Sequence, residues 1–317
     1  MPEYSIEKLK EIASRFRVNG AVEDIEPYGN GHINDTYASR VKTGNLIRRY
    51  IHQRMNHHIF KDPVKLMENI ERVTNHVRAK VREAGGDPDR NALTLVPALN
   101  GSSFYRDEDG SYWRTYIFIE GARTYDVIEK LEHVYNASKS FGEFQNMLKD
   151  LPGHRLHETI PDFHNTKKRF ETFVSTLESD PVNRAVDVQE EIDFLMQRQA
   201  DTGVVVDLME AGKIPERITH NDTKFNNIMI DNETGKGVCV IDLDTVMPGT
   251  VLNDFGDSVR IGATTGAEDE KDLSKVNLNL DMFDCLARGY IEAARNFLTG
   301  TESEHLAFSA KLLTLEC

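Results

Sequence analysis

The sequence predicts an α+β chain of two lobes, a small antiparallel β lobe followed by a mainly helical large lobe. Three observations predict it. Strand-like runs separated by glycine-containing turns fill the chain up to residue 119. Helical periodicity takes over from residue 127 onward. A single polar loop and hairpin, residues 217–244, interrupts that helical stretch.

The elements follow in order. Ile6, Leu9, Ile12, Ala13 and Phe16 recur at helical spacing behind Ser5, a residue type that caps helix N-termini. Residues 28–37 read as strand, glycine turn and strand, with Gly29 and Gly31 in the turn, and residues 46–55 as the next strand. Beyond Pro63, the residues Leu66, Met67, Ile70, Val73 and Val77 form one stripe of an amphipathic helix. Residues 93–98, 103–106 and 112–119 read as further strands, divided by turns at Asn100-Gly101 and Glu108-Asp109-Gly110. Gly121 lets the chain leave the sheet, which sets the lobes at residues 1–120 and 121–317. Residues 140–149 and 187–200 read as helices, with Pro152-Gly153 as the clearest punctuation between them and no internal repeat.

Composition narrows the function classes. With 317 residues, 39% of them hydrophobic, the chain can bury a large core. A net charge of −14 disfavours nucleic acid and anionic membrane as partners, because phosphate backbones need clustered Lys and Arg. There is no apolar run of membrane-spanning length, and Met1-Pro2-Glu3-Tyr4-Ser5 lacks a basic region followed by an apolar one, so a cytoplasmic location is expected. Cys239, Cys285 and Cys317 show no paired or zinc-type spacing and read as reduced thiols.

The chemistry concentrates in His220-Asn221-Asp222-Thr223-Lys224-Phe225-Asn226-Asn227 and the later Asp242-Leu243-Asp244. Arg-Ile-Thr before His220, Ile228-Met229-Ile230 after Asn227, and Val238-Cys239-Val240-Ile241 before Asp242 read as short strands around a polar turn at residues 231–237. An Asp on such a loop can take a hydroxyl proton, an Asn five residues on can return to a metal, and the hairpin delivers a second carboxylate. Asp222, Asn227 and Asp242 fill those places. A metal-dependent hydrolase built on Asp222, Asp242 and Asp244 is a weaker reading, since no His-rich ligand set accompanies them.

His-Asn-Asp-Thr-Lys-Phe-Asn-Asn, Ile241-Asp242-Leu243-Asp244-Thr245 and Asp254-Phe255-Gly256-Asp257-Ser258 resemble the aminoglycoside phosphotransferase and choline kinase superfamily, a protein-kinase-like fold. Within it the chain is similar to the N-acetylhexosamine 1-kinases, through segments such as Gln53-Arg54-Met55-Asn56 and Phe141-Gly142-Glu143-Phe144-Gln145-Asn146. The resemblance implies ATP and Mg2+ between the lobes, with Asp222 as base and Asn227 and Asp242 on the metal. It also implies that Arg54 and the turn of Gly29 and Gly31 hold phosphates. Glu71, rather than Glu68, would pair with Arg54, and the backbone of Phe118, Ile119 and Glu120 would face the adenine. Asp244 and Thr245 would touch the acceptor, His220 would support the loop, and Asp254 and Asp257 would brace it, with Arg260 pairing one of them.

The implied acceptor is a small-molecule sugar, N-acetylglucosamine or N-acetylgalactosamine, phosphorylated at its anomeric hydroxyl. Choline, homoserine or an aminoglycoside as acceptor, or nucleotide binding without turnover, stay open at this stage. The hexosamine kinases continue for several helical turns past the equivalent of Cys317, so part of the sugar pocket is expected to be missing. The apolar face of Leu306, Phe308, Leu312, Leu313 and Leu315 is then expected to be partly exposed, favouring self-association.

Overall fold

The computed structural model describes residues 4–29, 33–125, 130–266 and 270–317. The first part is a five-stranded antiparallel sheet built from β1 (Ala21–Pro27), β2 (Asp35–Thr43), β3 (Leu46–Met55), β4 (Tyr105–Arg106) and β5 (Tyr112–Ile117), in the order β1-β2-β3-β5-β4. Two helices flank it: α1 (Ile6–Ser14), capped by the Ser5 hydroxyl accepting the Lys8 N–H at 3.2 Å, and α2 (Pro63–Glu83), capped by Asp62.

Strand alternation sends the side chains of β3 and β5 to opposite sides. Tyr50, Trp113 and Ile117 pack with Leu9, Ile12 and Phe16 of the α1 side. Ile51, Met55, Tyr112 and Tyr116 join the main core under α2. The apolar stripe of α2 is buried as its spacing predicts, with Leu66, Met67, Ile70 and Val73 fully enclosed.

His52 is buried in this sheet, its Nε2 2.7 Å from Ser39 Oγ and its Nδ1 2.8 Å from Thr115 Oγ1. Burial pulls its imidazole down to about 4. A histidine held below its unfolded value favours folding fully above pH 6.5, and that contribution is lost as pH falls through about 4. We expect His52→Asn to flatten the acid side of the stability profile, removing up to about 3 kcal/mol of pH-dependent loss. Urea midpoints at neutral and acid pH for both proteins check this.

Residues 93–98 do not form the regular strand expected of them. Val96 N–H donates to Thr115 O at 2.8 Å and Ile117 N–H to Thr94 O at 3.0 Å, but Pro97 has no N–H to continue the ladder. The segment touches β5 only through an isolated bridge, Leu95 to Tyr116.

The second part holds β6 (Ala122–Arg123), α3 (Leu131–Leu148), α4 (Thr166–Ser179), α5 (Gln189–Met196), α6 (Gln199–Thr202), α7 (Val204–Glu210), β7 (Arg217–Thr219), β8 (Ile228–Asp231), β9 (Gly237–Val240), β10 (Met247–Gly249), α8 (Val251–Gly262), α9 (Leu280–Ala294) and α10 (Gly300–Glu316). The helix read at residues 187–200 is broken into a 3-10 turn, α5 and α6; Ile192 is the one buried residue of α5, so little packing carries a longer helix. Helices α3 and α9 pack very closely: a Cβ on Gly289 would lie 2.3 Å from Tyr135 O.

The expectation of a partly exposed C-terminal apolar face is corrected for Leu306, Leu312 and Leu313, while Phe308 and Leu315 are half-buried, Leu315 on the cleft lining. Leu306, Leu312 and Leu313 are 6%, 2% and 1% exposed, enclosed in the main core with residues of α8, and Phe308 packs against the same core. Among the described residues no helix is long and apolar enough to cross a membrane.

Candidate active site

Between β7 and β8 the chain passes through residues 220–227, and the loop is fixed by backbone amides bonded to buried carboxylates. Asp254 on α8 accepts His220 N–H through Oδ2 at 2.9 Å and Asn221 N–H through Oδ1 at 2.7 Å. Asp257, one turn on, accepts Thr223 N–H at 2.8 Å. Asn221 sits at φ 64°, a left-handed conformation that Asn tolerates better than most side chains. Gly262 at the end of α8 lets the helix meet the loop, since a Cβ there would lie 2.3 Å from the Phe225 ring. Asp254 and Asp257 therefore brace the loop as expected, and Arg260 pairs with Asp257 at 2.9 Å.

His220 is internal. Its Nε2 donates to Ile241 O at 2.9 Å, its Nδ1 accepts Asp222 N–H at 3.3 Å, and its ring lies edge-on to Phe141. His164 ties the far end of the molecule to the same loop, its Nε2 3.1 Å from Asn221 O and its Nδ1 2.8 Å from Glu316 of α10.

The structure brings Asp222, Asn227 and Asp242 to one wall of a single cleft of about 1560 Å3. Asn227 Nδ2 donates to Asp222 O at 2.8 Å and to Asp222 Oδ2 at 3.1 Å, which fixes the amide. Asp242 follows β9 in a left-handed conformation, φ 57°. Its carboxylate is open to cleft water yet set deep in the protein, and burial, then the charge of Asp244, push it up to about 6. The Asp242 carboxylate and the Asn227 amide oxygen are hard donors suited to Mg2+, and the crowding of negative charge at Asp242 is what a divalent cation relieves. These residues fit the metal.

A raised carboxyl costs the metal-free protein stability, and this cost appears as pH rises through about 6. Asp242→Asn should therefore raise the melting temperature of the metal-free protein at pH 7.5 and leave it unchanged near pH 4. Since cleft water reaches the group, the gain is about 1 kcal/mol rather than the full value for an enclosed charge. In saturating Mg-ATP the order should reverse. Thermal melts in both conditions check the prediction.

At the other end of the cleft Gly29, Phe118 and Ile119 are on the lining with Ile51, Leu93, Met229 and Ile241. Among the described residues nothing bonds the Ile119 N–H, whereas the Glu120 carbonyl is occupied by Arg90. The Glu120 side chain pairs with Arg49 beside a separate groove. Gly31 lies outside the described residues.

Arg54 does not meet the cleft, and the expectation of a phosphate grip is corrected. It alternates to the α1 face, where it pairs with Asp35 at 2.5 Å and lies over the Tyr4 ring. Glu71 is exposed and forms no ion pair with it among the described residues. The cleft-lining neighbour on β3 is Gln53, and Arg114 stands opposite it on β5. Arg114 is 1% exposed and bonds Gln53 Oε1 at 3.0 Å and the carboxylate of Asp244.

Asp244, expected on the acceptor, is likewise enclosed: it takes Arg114 and, at 2.6 Å, Asn34 Nδ2. Thr245 Oγ1 donates to His220 O at 2.7 Å. Both serve the loop's scaffold in this arrangement. Sequence reasoning passed over Gln53, Arg114 and Lys224. The alternation Ile51-Gln53-Met55 against Tyr50-His52-Arg54 was the available signal for Gln53, and Tyr112-Arg114-Tyr116 against Trp113-Thr115-Ile117 that for Arg114. Lys224, two residues after Asp222, was in the motif itself, and its Nζ stands 3.7 Å from Asp222 Oδ1.

The cleft is also lined by the end of α8, residues 276–278, α9 and α10. Arg198, Lys224, Arg260 and Lys311 line it, with Thr264, Thr265 and Thr314 among the hydroxyls. Asp222 and Asp242 are the carboxylates among the described lining residues.

A small antiparallel sheet over a mainly helical part, with a braced Asp loop and a following Asp hairpin in the cleft between, defines the kinase-like class of phosphotransferases. The model of the phosphotransferase enzyme family (APH) matches residues 24–284, and the chain belongs to that family. Solved structures of the same fold include an amicoumacin kinase (TM-score 0.56, 12% identity, 99% of this chain and 93% of that one). A microcompartment-associated aminopropanol kinase is similar at TM-score 0.55 and 15% identity, over 98% of this chain and 88% of that one. The choline kinase of Cryptosporidium parvum matches at TM-score 0.55 and 12% identity, over 98% and 85%.

Proposed function

We propose that the protein is an ATP-dependent kinase that phosphorylates the anomeric hydroxyl of N-acetylglucosamine or N-acetylgalactosamine, with residues 1–120 as the nucleotide lobe and 121–317 carrying catalysis. The carrying observation is the cleft lining: Thr264, Thr265 and Thr314 offer hydroxyls to a neutral polyol, and Asp222 and Asp242 are the carboxylates among the described lining residues. A cationic acceptor of the kind named for the neighbouring structures would call for carboxylates or an aromatic cage, and the described carboxylates of the lining, Asp222 and Asp242, are those of the phosphotransfer site. The choice of acetylated hexosamines rests on the motif resemblance.

In this reading the adenine lies against Ile51, Leu93 and Met229, bonded to the Ile119 amide. Asn227 and Asp242 would hold Mg2+, which when bound draws charge from the phosphate oxygens. Asp222 accepts the proton of the anomeric hydroxyl as its oxygen forms a bond to the γ-phosphorus and the bond to ADP breaks. Lys224, beside Asp222, faces the charge on the transferring group. Asn227 keeps the base oriented through its two bonds to residue 222.

Initial rates of ADP release with N-acetylglucosamine, N-acetylgalactosamine, glucose, choline and kanamycin test the reading. Turnover should be confined to the neutral sugars and highest with the acetylated ones; preference for choline or kanamycin would overturn it.

A further inference from the structure

A second cluster lies on the exposed side of α2, away from the cleft lining. Glu68 stands between two imidazoles, with His154 Nε2 2.9 Å from Oε1 and His157 Nε2 2.8 Å from Oε2. The three ligand atoms all lie within 4.8 Å of one another. We propose that Glu68, His154 and His157 bind a divalent transition-metal ion, Zn2+ foremost, which fastens residues 152–157 to α2.

The backbone already holds this geometry. Arg72, one turn after Glu68, donates to Pro152 O at 3.0 Å and His154 O at 2.7 Å. Asn69, next to Glu68, accepts His157 N–H at 2.9 Å and donates to His157 O at 2.8 Å. Both histidines are therefore anchored to the helix that carries the carboxylate. Only side-chain rotation remains, and at 63%, 42% and 27% exposure for His154, Glu68 and His157 it is unobstructed by packing.

Two imidazole nitrogens and one carboxylate oxygen, with water in the fourth position, is a set that Zn2+ accepts at bonds of about 2.0–2.2 Å. Tetrahedral ligands then stand about 3.4 Å apart, by the same bond lengths. Each Nε2 is already closer than that to its own oxygen of Glu68, so binding on one of those oxygens mainly draws the other ring in. Each Nε2, now donating to Glu68, gives up that proton and turns its lone pair to the metal, and the bound neutral ring carries its proton on Nδ1. Mg2+ prefers an all-oxygen shell and would leave the site to the softer ion. The site also reaches the catalytic hairpin, because Asn69 Nδ2 donates to Val246 O at 3.2 Å, just beyond Asp242 and Asp244.

Calorimetric titration of the chelator-stripped full chain with zinc chloride, without nucleotide, tests the assignment. One saturable site is expected, weakened at least about tenfold in His154→Ala, His157→Ala and Glu68→Gln, and unchanged in Asp242→Asn. Absence of saturable binding overturns it, as does binding that survives the double His154→Ala/His157→Ala change or disappears with Asp242→Asn, which would put the ion in the cleft. Cobalt substitution of the unaltered protein is independent of any variant's folding: intense visible absorption of a four-coordinate nitrogen and oxygen site supports the assignment, and a weak six-coordinate spectrum overturns it.

Discussion

Asp222→Asn should lower the rate of phosphotransfer by two to four orders of magnitude, the range that a positioned general base contributes, while nucleotide binding stays near that of the unaltered protein. The split is expected because the substitution is nearly isosteric. An amide at position 222 can still offer an oxygen to Asn227 Nδ2, now 3.1 Å from Asp222 Oδ2, and the backbone bond at 2.8 Å is untouched. The loop amides remain on Asp254 and Asp257. What disappears is the group that accepts the hydroxyl proton. The turnover number should therefore fall with little change in the dissociation constant for ATP, measured by calorimetry beside single-turnover kinetics. A loss of ATP binding in proportion to rate would instead assign Asp222 to the metal.

Arg114→Met should produce the largest loss of stability of any single change in the sheet, about 3–5 kcal/mol, the usual cost of stranding one member of a buried ion pair. Asp244 is 3% exposed, and after the change Asn34 would be its one remaining side-chain partner among the described residues, in a place already crowded by Asp242. The pair also couples the sheet to the hairpin, so activity should fall with stability. A double variant with Asp244→Asn should recover most of the stability, because the stranded charge is gone. Urea unfolding of the single and double variants separates this from loss of packing: no recovery would mean that Arg114 acts through its bulk.

The parts of the molecule visible in the sequence are those written in short range. The α2 stripe, the Ser5 cap, the strands around the loop and the order Asp222, Asn227, Asp242 all follow from spacing within a few residues. Asp254 and Asp257 were legible as braces only through the motif resemblance; that they sit one turn apart on α8 came from the structure. What failed depended on long-range partners. Arg54 and Arg114 are both cations on strands, and their side is decided by pleat and by what α1 and α2 cover. Asp244 looked like an acceptor contact because its partners Asn34 and Arg114 are 210 and 130 residues away. The covering of α10 likewise depends on its contact with α8, which local periodicity does not specify.

The most direct test of the account is a phosphorus NMR spectrum of the products formed by the full chain from Mg-ATP and an equimolar mixture of N-acetylglucosamine, N-acetylgalactosamine, choline and kanamycin. A new phosphomonoester resonance coupled to an anomeric proton of an acetylated hexosamine, absent in the Asp222→Asn protein, is the predicted result. Phosphate carried by choline or kanamycin, or inorganic phosphate alone, would contradict it.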